Sequence, residues 1–176
     1  MRVAVTGTPG TGKTTASDLL EQRFAESESD FDVVHLNRVL EDEDLYTEVD
    51  ADRESKIADL EALAEWLEGR DDVVVESHLA HHFDADRVAV LRCAPATLEE
   101  RLLERGETAA KAQENAESEA LDVILAEAVE EHGLESVYEI DTTDRSPEAV
   151  ADALEAVVAG EREPSAGEVE FVGYLG

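Results

Sequence analysis

Short apolar runs alternate along this chain with longer stretches in which apolar side chains recur every three or four residues. The short runs predict buried strands, and the longer stretches predict amphipathic helices. The five predicted strands are Arg2–Thr6, Phe31–His35, Asp72–Glu76, Arg87–Arg92 and Ser136–Ile140. Strands that alternate with helices are typical of βαβ units, so the pattern predicts an α/β fold with a five-stranded parallel sheet and helices on both faces.

Apolar stripes and end signals predict five helices. They are Thr14–Ala25, Glu54–Glu68, one from Thr97 to Gly106 with a capping box completed by Glu100, one from about Thr108 to Glu131, and one from Pro147 to Gly160 capped by Ser146. Residues 1–160 are therefore predicted to form one domain. Residues 161–176 carry one proline and three glycines and are predicted to form a tail or a loosely docked strand.

The composition is strongly acidic. Asp and Glu total 45 against 14 Lys and Arg, which gives a net charge of −31. In ordinary cytosol this charge would repel nucleic acid and anionic membranes. In roughly 1 M salt, where the Debye length is about 3 Å, the self-repulsion is largely screened. An acid-rich and lysine-poor chain is therefore more typical of a halophile than of a mesophile.

The remaining composition favours a cytoplasmic protein. Cys93 is the single cysteine, so no internal disulfide is expected. No apolar run approaches the roughly 20 residues of a membrane span. Met1 and Arg2 lead into the first strand, and no signal peptide is predicted.

The strongest chemical signal lies between the first strand and the first helix. Residues 7–15 read Gly-Thr-Pro-Gly-Thr-Gly-Lys-Thr-Thr, which matches the P-loop pattern at every fixed position. Glycines allow backbone N–H groups to surround a phosphate, and the helix N-terminus adds a positive dipole. The residues expected to bind ATP are Gly10, Thr11, Gly12, Lys13, Thr14 and Thr15.

Two of these side chains have separate roles. Lys13 would contact the β- and γ-phosphates, and the Thr14 hydroxyl would ligate Mg²⁺. A glycine-rich turn without a ligand is the alternative, but the preceding apolar strand and the following helix disfavour it. The loop therefore predicts a protein that binds ATP with Mg²⁺ and transfers or hydrolyses the terminal phosphate.

The second signal is a buried strand that ends in a carboxylate. Glu76 follows three valines and would lie at the carboxyl edge of the sheet, where it could hold Mg²⁺ or one of its waters. His78 projects from the same side and could position a water or an acceptor hydroxyl, or relay a proton. The alternative for both residues is a solvated strand end. His78, His81 and His82 also have zinc-ligand spacing, but no second ligand group follows them in the chain.

Arginines provide the third signal. Arg101 and Arg105 lie four residues apart on one helix face, and Gly106 follows as a hinge candidate. A guanidinium is a rigid fork for phosphate oxygens, so a mobile segment that carries Arg105 could close over a triphosphate. A surface pair opposite Glu100 and Glu104 is the alternative, and it stays open for Arg101.

An acidic segment after the second strand, residues 37–52, contains no obvious core. Arg38, Tyr46 and the nearby Arg53 are its candidates for binding a phosphate acceptor. The alternative for each of them is a solvated acidic loop.

With these residues placed, the chain resembles the archaeal and eukaryotic adenylate-kinase-like family linked to maturation of the small ribosomal subunit. The resemblance covers about residues 1–160. The stretches that carry it are Thr6 to Thr15, Leu45-Tyr46, Glu76-x-His78 with Phe83, Val90-Leu91-Arg92, Glu100-Arg101-Leu102 with Arg105-Gly106, and Glu114-Asn115 with Glu119. The P-loop is shared by many kinases, and the later stretches make the resemblance specific.

The resemblance implies a three-layer nucleoside-monophosphate-kinase fold and reversible phosphoryl transfer between nucleoside triphosphates and monophosphates, together with ATP hydrolysis. It implies that Lys13 and Arg105 contact ATP and that His78 is the catalytic histidine. Residues 37–52 would bind the monophosphate, through Arg38 and Tyr46, and residues 105–114 would form a short lid. The implied partners are a platform ribosomal protein of the S-eleven type and the small ribosomal subunit.

Two positions depart from the family pattern. The acid at the strand end is often Asp in the family, and the longer Glu76 could move its contact with Mg²⁺ to a bridging water. The family often places an arginine where Glu41 aligns, and Arg38 lies one helical turn earlier. Two other functions stay open: a ribosome-assembly ATPase with little kinase activity, and a small-molecule kinase of the shikimate or gluconate type.

Overall fold

The structure, a computed structural model, describes residues 1–50 and 55–175, without the side chains of residues 46–50, 55–57 and 172. Its strands are β1 Arg2–Thr6, β2 Asp32–His35, β3 Tyr46–Asp50, β4 Ser55–Ala58, β5 Val73–Glu76, β6 Arg87–Arg92 and β7 Val137–Asp141. Its helices are α1 Lys13–Glu26, α2 Leu36–Asp42, α3 Leu60–Leu67, α4 Pro95–Glu104, α5 Ala109–Ala120, α6 Val123–His132 and α7 Pro147–Ala159. Three 3₁₀ turns cover Ala80–His82, Leu134–Ser136 and Val172–Leu175.

The main sheet has five parallel strands in the order β2-β5-β1-β6-β7. All five occupy the predicted positions to within one residue. Strand β1 is central, with β5 on one side and β6 on the other, and its Val5 pairs with Glu76. The carboxyl end of β1 therefore lies at the topological switch point of the sheet, where ligands of open α/β sheets bind.

Two apolar layers cover the two faces of the sheet. Successive strand residues point to opposite faces, so Val3 packs on one side and Ala4 on the other. Helices α1 and α7 cover the first face, and Leu20 and Leu154 are buried there. Helices α2, α3 and α6 cover the second face, and Leu63 is buried there. No helix of the described residues is long and apolar enough to cross a membrane.

The predicted helix Glu54–Glu68 is wrong in its first part. Residues Ser55–Ala58 form β4, which pairs antiparallel with β3 in a two-stranded sheet, and the helix begins only at Leu60. Asp59 explains this start, because its side chain accepts a hydrogen bond from the backbone N–H of Ala62 at 3.0 Å and so caps the helix.

Two further helix boundaries differ from the prediction. Helix α4 begins at Pro95, before the proposed capping box at Thr97, because proline suits the first helical position. The long helix predicted from Thr108 to Glu131 is two helices, since Asp122 between α5 and α6 adopts a left-handed conformation with φ 55°. The break turns the Asp122 carboxylate toward Arg92.

Arg92 lies at the end of β6, fully buried, and holds three elements together. Its guanidinium donates to Glu119 Oε1 on α5 at 3.1 Å, to Glu139 Oε2 on β7 at 2.9 Å, and to the Asp122 carboxylate. Glu119 in turn accepts hydrogen bonds from the Thr8 hydroxyl at 3.3 Å and from the backbone N–H of Cys93 at 2.9 Å. One buried cation thus connects the loop after β1 with β6, α5 and β7.

The tail docks on this network. Glu139 accepts hydrogen bonds from the backbone N–H groups of Gly167 and Glu168. The ring of Phe171 lies 5.4 Å from the Arg92 guanidinium, and the Tyr174 hydroxyl donates to Glu99 at 2.9 Å. The segment after Gly160 therefore packs against the edge of the sheet through polar contacts and one cation–π contact.

We predict that Arg92→Met lowers the free energy of unfolding by about 3–5 kcal/mol, because it leaves buried carboxylates without their partner. The control is Arg23→Met, which removes a half-buried arginine whose partners Asp152 and Glu155 are exposed, and which should cost at most about 1 kcal/mol. Urea unfolding at constant molar KCl measures both. Equal, small losses would show that the network does not stabilise the fold.

Candidate active site

The loop between β1 and α1 has a backbone that favours glycine at Gly7, Gly10 and Gly12, where φ is positive. Gly7 has φ 147°, and a Cβ atom there would lie 2.6 Å from the carbonyl oxygen of Leu91. Gly12 has φ 91° and caps α1, with no atom within 4 Å of the place where its Cβ would be. The chain can therefore wrap closely and leave free space at the N-terminus of α1, where backbone N–H groups attract an anion.

Lys13 is 8% exposed and lies across this loop. Its Nζ donates to the carbonyl oxygen of Thr8 at 3.1 Å. Burial lowers the pKa of Lys13 to about 8, opposed by the charges of Glu76 and Glu119. The ammonium group is still mostly charged near pH 7, and its limited hydration favours a direct contact with a phosphate.

Thr14 and Glu76 approach each other beside the loop. The Thr14 hydroxyl donates to Glu76 Oε1 at 3.1 Å, and the His35 Nδ1 lies 3.0 Å from Glu76 Oε2. Burial alone would raise the pKa of Glu76, but the contacts with His35 and Lys13 outweigh it and lower the pKa. The hydrogen bond with Glu76 also raises the pKa of His35. Glu76 is thus an ionised carboxylate held in a fixed orientation.

These oxygen atoms fit a magnesium ion. Mg²⁺ prefers hard oxygen ligands and usually binds through one or two protein groups together with phosphate oxygens and water. The hydroxyl of Thr14 and the ionised carboxylate of Glu76 provide that donor set next to the phosphate-binding loop.

His78 lies two residues beyond Glu76 and faces the same cleft. Burial lowers its pKa to about 4, and the positive charge of Lys13 adds to the effect. The imidazole is therefore neutral near pH 7 and can accept a hydrogen bond.

The two arginines of α4 have different surroundings. Arg101 donates to the carbonyl oxygens of Gly10 at 3.4 Å and of Thr142 and Thr143 at 3.3 Å each, so it ties the loop to the end of β7. Arg105 is exposed and lines the cleft at the end of α4. Across the described part of the chain, neither arginine pairs with Glu100 or Glu104, the alternative considered from the sequence.

A cleft of about 700 Å³ joins these groups. The predicted residues that line it are Gly10, Thr11, Gly12, Lys13, Thr14, Thr15, Glu76, His78, Arg101 and Arg105. Arg38 is not among the lining residues, and its guanidinium lies 3.4 Å from the Asp18 carboxylate on the surface. Asn37, one residue earlier, does line the cleft. The side chain of Tyr46 and the whole of Arg53 lie outside the described residues.

Sequence reasoning missed His35, Thr142 and Arg145. His35 ends β2 and pairs in register with Glu76, so the adjacent ends of two predicted parallel strands could have identified it. Thr142 and Arg145 follow β7 and line the far side of the cleft. The rule that ligands bind at carboxyl ends of strands points to this segment, but the acidic residues around it gave no local signal.

The zinc interpretation of His78, His81 and His82 is changed by the fold. His78 faces the cleft, whereas His81 and His82 turn toward α6 and contact Glu127. A carboxylate that could serve as a further ligand therefore lies about 45 residues further along the chain, where spacing alone could not reveal it.

Comparison with known proteins agrees with this geometry. A family model described as an AAA domain matches residues 3–122. A relative from Natronomonas pharaonis, provisionally named adenylate kinase, is 60% identical over 175 residues, which cover 99% of this chain and 100% of the relative. A relative from Halobacterium salinarum with the same provisional name is 58% identical over 176 residues, with the same coverage of both chains.

Solved structures share the architecture. A shikimate kinase from Bacteroides thetaiotaomicron superposes with a TM-score of 0.60 at 18% identity and covers 90% of this chain and 98% of its own. A gluconokinase from Sinorhizobium meliloti gives a TM-score of 0.56 at 16% identity, with coverage of 91% and 92%. At these identities the likeness shows the fold alone, and it confirms the predicted α/β P-loop kinase fold.

We predict that Glu76→Gln weakens the Mg²⁺-dependent part of ATP binding by about 10- to 100-fold, because the neutral amide no longer holds a charge-assisted contact. ATP titrations in molar KCl, with and without Mg²⁺, measure this part separately. Glu104→Gln, at an exposed position in the same cleft, is the control and should change little. Unchanged Mg²⁺ dependence in Glu76→Gln would remove Glu76 from the metal site.

Proposed function

Because this chain belongs to the P-loop family of its archaeal adenylate kinase relatives, we propose that it is a nucleoside monophosphate kinase. It transfers the terminal phosphate of ATP to AMP or another monophosphate, and it also hydrolyses ATP. Identity of 60% along nearly the whole chain supports the family activity. The observation that carries the proposal is the meeting of Lys13, Glu76 and His78 at one cleft.

The protein's contribution to the reaction is positioning and neutralisation of charge. Phosphoryl transfer needs little covalent chemistry from the protein, because the attacking and leaving oxygens must only be held in line. Lys13 and Arg105 would balance the charge on the transferred phosphate from two sides of the cleft. The clamp from Arg101 to Gly10 keeps the loop fixed while this happens.

Thr14 and Glu76 would hold Mg²⁺, which supplies further neutralisation of phosphate charge when it is bound. His35 fixes the Glu76 carboxylate through its Nδ1 contact. His78, neutral and beside these groups, would orient the acceptor hydroxyl or the attacking water.

The acceptor would enter from the side of residues 37–52. Asn37 lines the cleft there, and Arg38 lies next to it on α2. Arg38 is 60% exposed and free to rotate away from Asp18, so it can reach a phosphate that approaches along α2. Residues 105–114 would act as the lid, since Gly106 with φ 91° separates α4 from α5.

A role in late maturation of the small ribosomal subunit is the second part of the proposal. It rests on the resemblance to the ribosome-linked branch of the family and on the net charge of −31. Such an anionic surface complements a strongly basic ribosomal protein of the platform, and high salt would reduce the steering without removing close contacts.

We predict that AMP accelerates ADP formation from ATP and Mg²⁺ in molar KCl, with two ADP formed for each AMP consumed. Coupled-enzyme or chromatographic assays measure it with no acceptor, with AMP, and with the platform ribosomal protein. Lys13→Ala provides the inactive control for all three. Turnover that ignores AMP and changes only with the ribosomal protein would indicate an assembly ATPase. Dependence on shikimate or gluconate would overturn the family activity.

We predict that His78→Ala lowers kcat for hydrolysis by about 10²–10⁴-fold while the Kd for ATP stays within a few-fold, because a group that orients a nucleophile does not hold the nucleotide. Single-turnover hydrolysis and equilibrium binding of ATP separate the two quantities. A large loss of ATP affinity would instead assign His78 a structural role.

A further inference from the structure

Two histidines and a glutamate form a cluster outside the cleft that phosphoryl transfer does not use. His81 and His82 lie on the 3₁₀ turn after His78, and Glu127 lies on α6. The Nε2 atom of His81 is 2.8 Å from Glu127 Oε2, and the Nε2 atom of His82 is 3.4 Å from the same oxygen. We propose that these three atoms bind a divalent transition metal of the zinc class.

The spacing of the three atoms suits such an ion. Tetrahedral Zn²⁺ binds histidine nitrogen and carboxylate oxygen at about 2.0–2.2 Å, which places neighbouring ligand atoms roughly 3.3 Å apart. The ligand atoms of His81, His82 and Glu127 all lie within 4.8 Å of one another. Small side-chain shifts would therefore bring them into coordination without moving the backbone.

The second nitrogen of each ring already has an acceptor. His81 Nδ1 lies 2.7 Å from the Thr6 hydroxyl, and His82 Nδ1 lies 3.0 Å from Glu131 Oε1. Metal-bound histidines nearly always donate their other N–H to such a partner, which fixes the tautomer and the orientation of the ring. Both rings can thus present an unprotonated Nε2 to the ion while Nδ1 donates to Thr6 or Glu131.

The cluster is anchored on one side and open on the other. His81 is 1% exposed, and its carbonyl oxygen accepts a hydrogen bond from His132 Nε2 at 2.7 Å. His82 and Glu127 have side chains that are 26% and 39% exposed, so an ion can enter from solvent. Three protein ligands with solvent access leave a fourth position for water.

A bound ion would join the turn after His78 to α6. Thr6, which contacts His81, ends β1 immediately before the phosphate-binding loop. The metal would therefore stabilise the segment that carries His78 from the side opposite the nucleotide, and its removal would loosen that segment without removing a catalytic group.

A second cluster provides the internal control. Asp18, Glu21 and His35 also come within ligand distance, but they include one nitrogen only and adjoin Glu76 in the cleft. Two imidazoles and one carboxylate favour a zinc-class ion more than this oxygen-rich set does.

The test is titration of the purified full chain with Zn²⁺ alone and with Co²⁺ alone, in a non-chelating buffer with KCl. We expect one equivalent to bind, visible d–d absorption from bound Co²⁺, and a rise in the thermal midpoint with Zn²⁺. His82→Ala and the isosteric Glu127→Gln should each weaken binding by more than about 100-fold, beyond the 10- to 100-fold loss expected for the outer-shell variant Glu131→Gln.

Two variants should retain full binding: Glu130→Gln, at an exposed position on the same helix, and His35→Ala, in the other cluster. Circular dichroism establishes that each variant is folded before titration. Absence of saturable Zn²⁺ binding would overturn the site. So would binding that survives both His82→Ala and Glu127→Gln, or that disappears with His35→Ala.

Discussion

The central position of β1 in the sheet is the constraint on which the site depends. Its carboxyl end turns directly into the loop that opens α1, while β5 and β6 end on either side of it. Parallel strands finish at one edge, so Glu76 from β5 meets Thr14 from α1 without any long connection. The close approach of Gly7 to the Leu91 carbonyl requires glycine, because a Cβ atom would collide with backbone that cannot move. A displacement of β6 would therefore change the shape of the loop.

The negative charge of this chain repels the phosphates of a nucleotide, so the binding site must offset that repulsion with positive groups close to the phosphates. The net charge of −31 is spread over an exposed surface, where salt screens it. Among the cations that line the cleft, Lys13 is buried and Arg101 is partly buried, and burial makes their short-range contacts stronger than those of surface pairs. Lys13 is buried inside the loop and donates to the Thr8 carbonyl oxygen, and Arg101 donates hydrogen bonds to backbone carbonyl oxygens. Each side chain therefore has a fixed position before a ligand binds. At the proposed site, recognition of phosphate would then rest on preorganised donors close to the ligand, with little help from long-range attraction.

The sequence predicted the five strands of the main sheet and the phosphate-binding loop, because both depend on local patterns. Buried parallel strands are continuous apolar runs, and the loop has fixed glycine positions. The hairpin was missed because β3 lies in an acidic stretch without an apolar pattern, while the residues of β4 open a stretch with a helical period. The split between α5 and α6 was missed because Ala116, Ala120, Ile124 and Ala128 continue a helical spacing across it. The break depends on Asp122, whose carboxylate contacts the buried Arg92, 30 residues earlier in the chain. Residues that depend on contacts between distant elements, such as His35 with Glu76, could be placed only when strand order was known.

Residues 77–82 separate two candidate sites: the cleft that His78 lines, and the cluster that His81 and His82 form with Glu127. The bend and turn that follow Glu76 place His78 at the cleft, and the 3₁₀ turn after them brings His81 and His82 against α6. Thr6, at the end of β1, contacts His81. The same strand leads directly into the phosphate-binding loop, so β1 connects the loop with the histidine cluster. Rigidity on the α6 side therefore limits how far His78 can move, because only Leu79 separates it from the 3₁₀ turn. In the role proposed for His78, orienting a nucleophile, the residue would gain from such support, since an error of about 1 Å in its position can cost about 100-fold in rate.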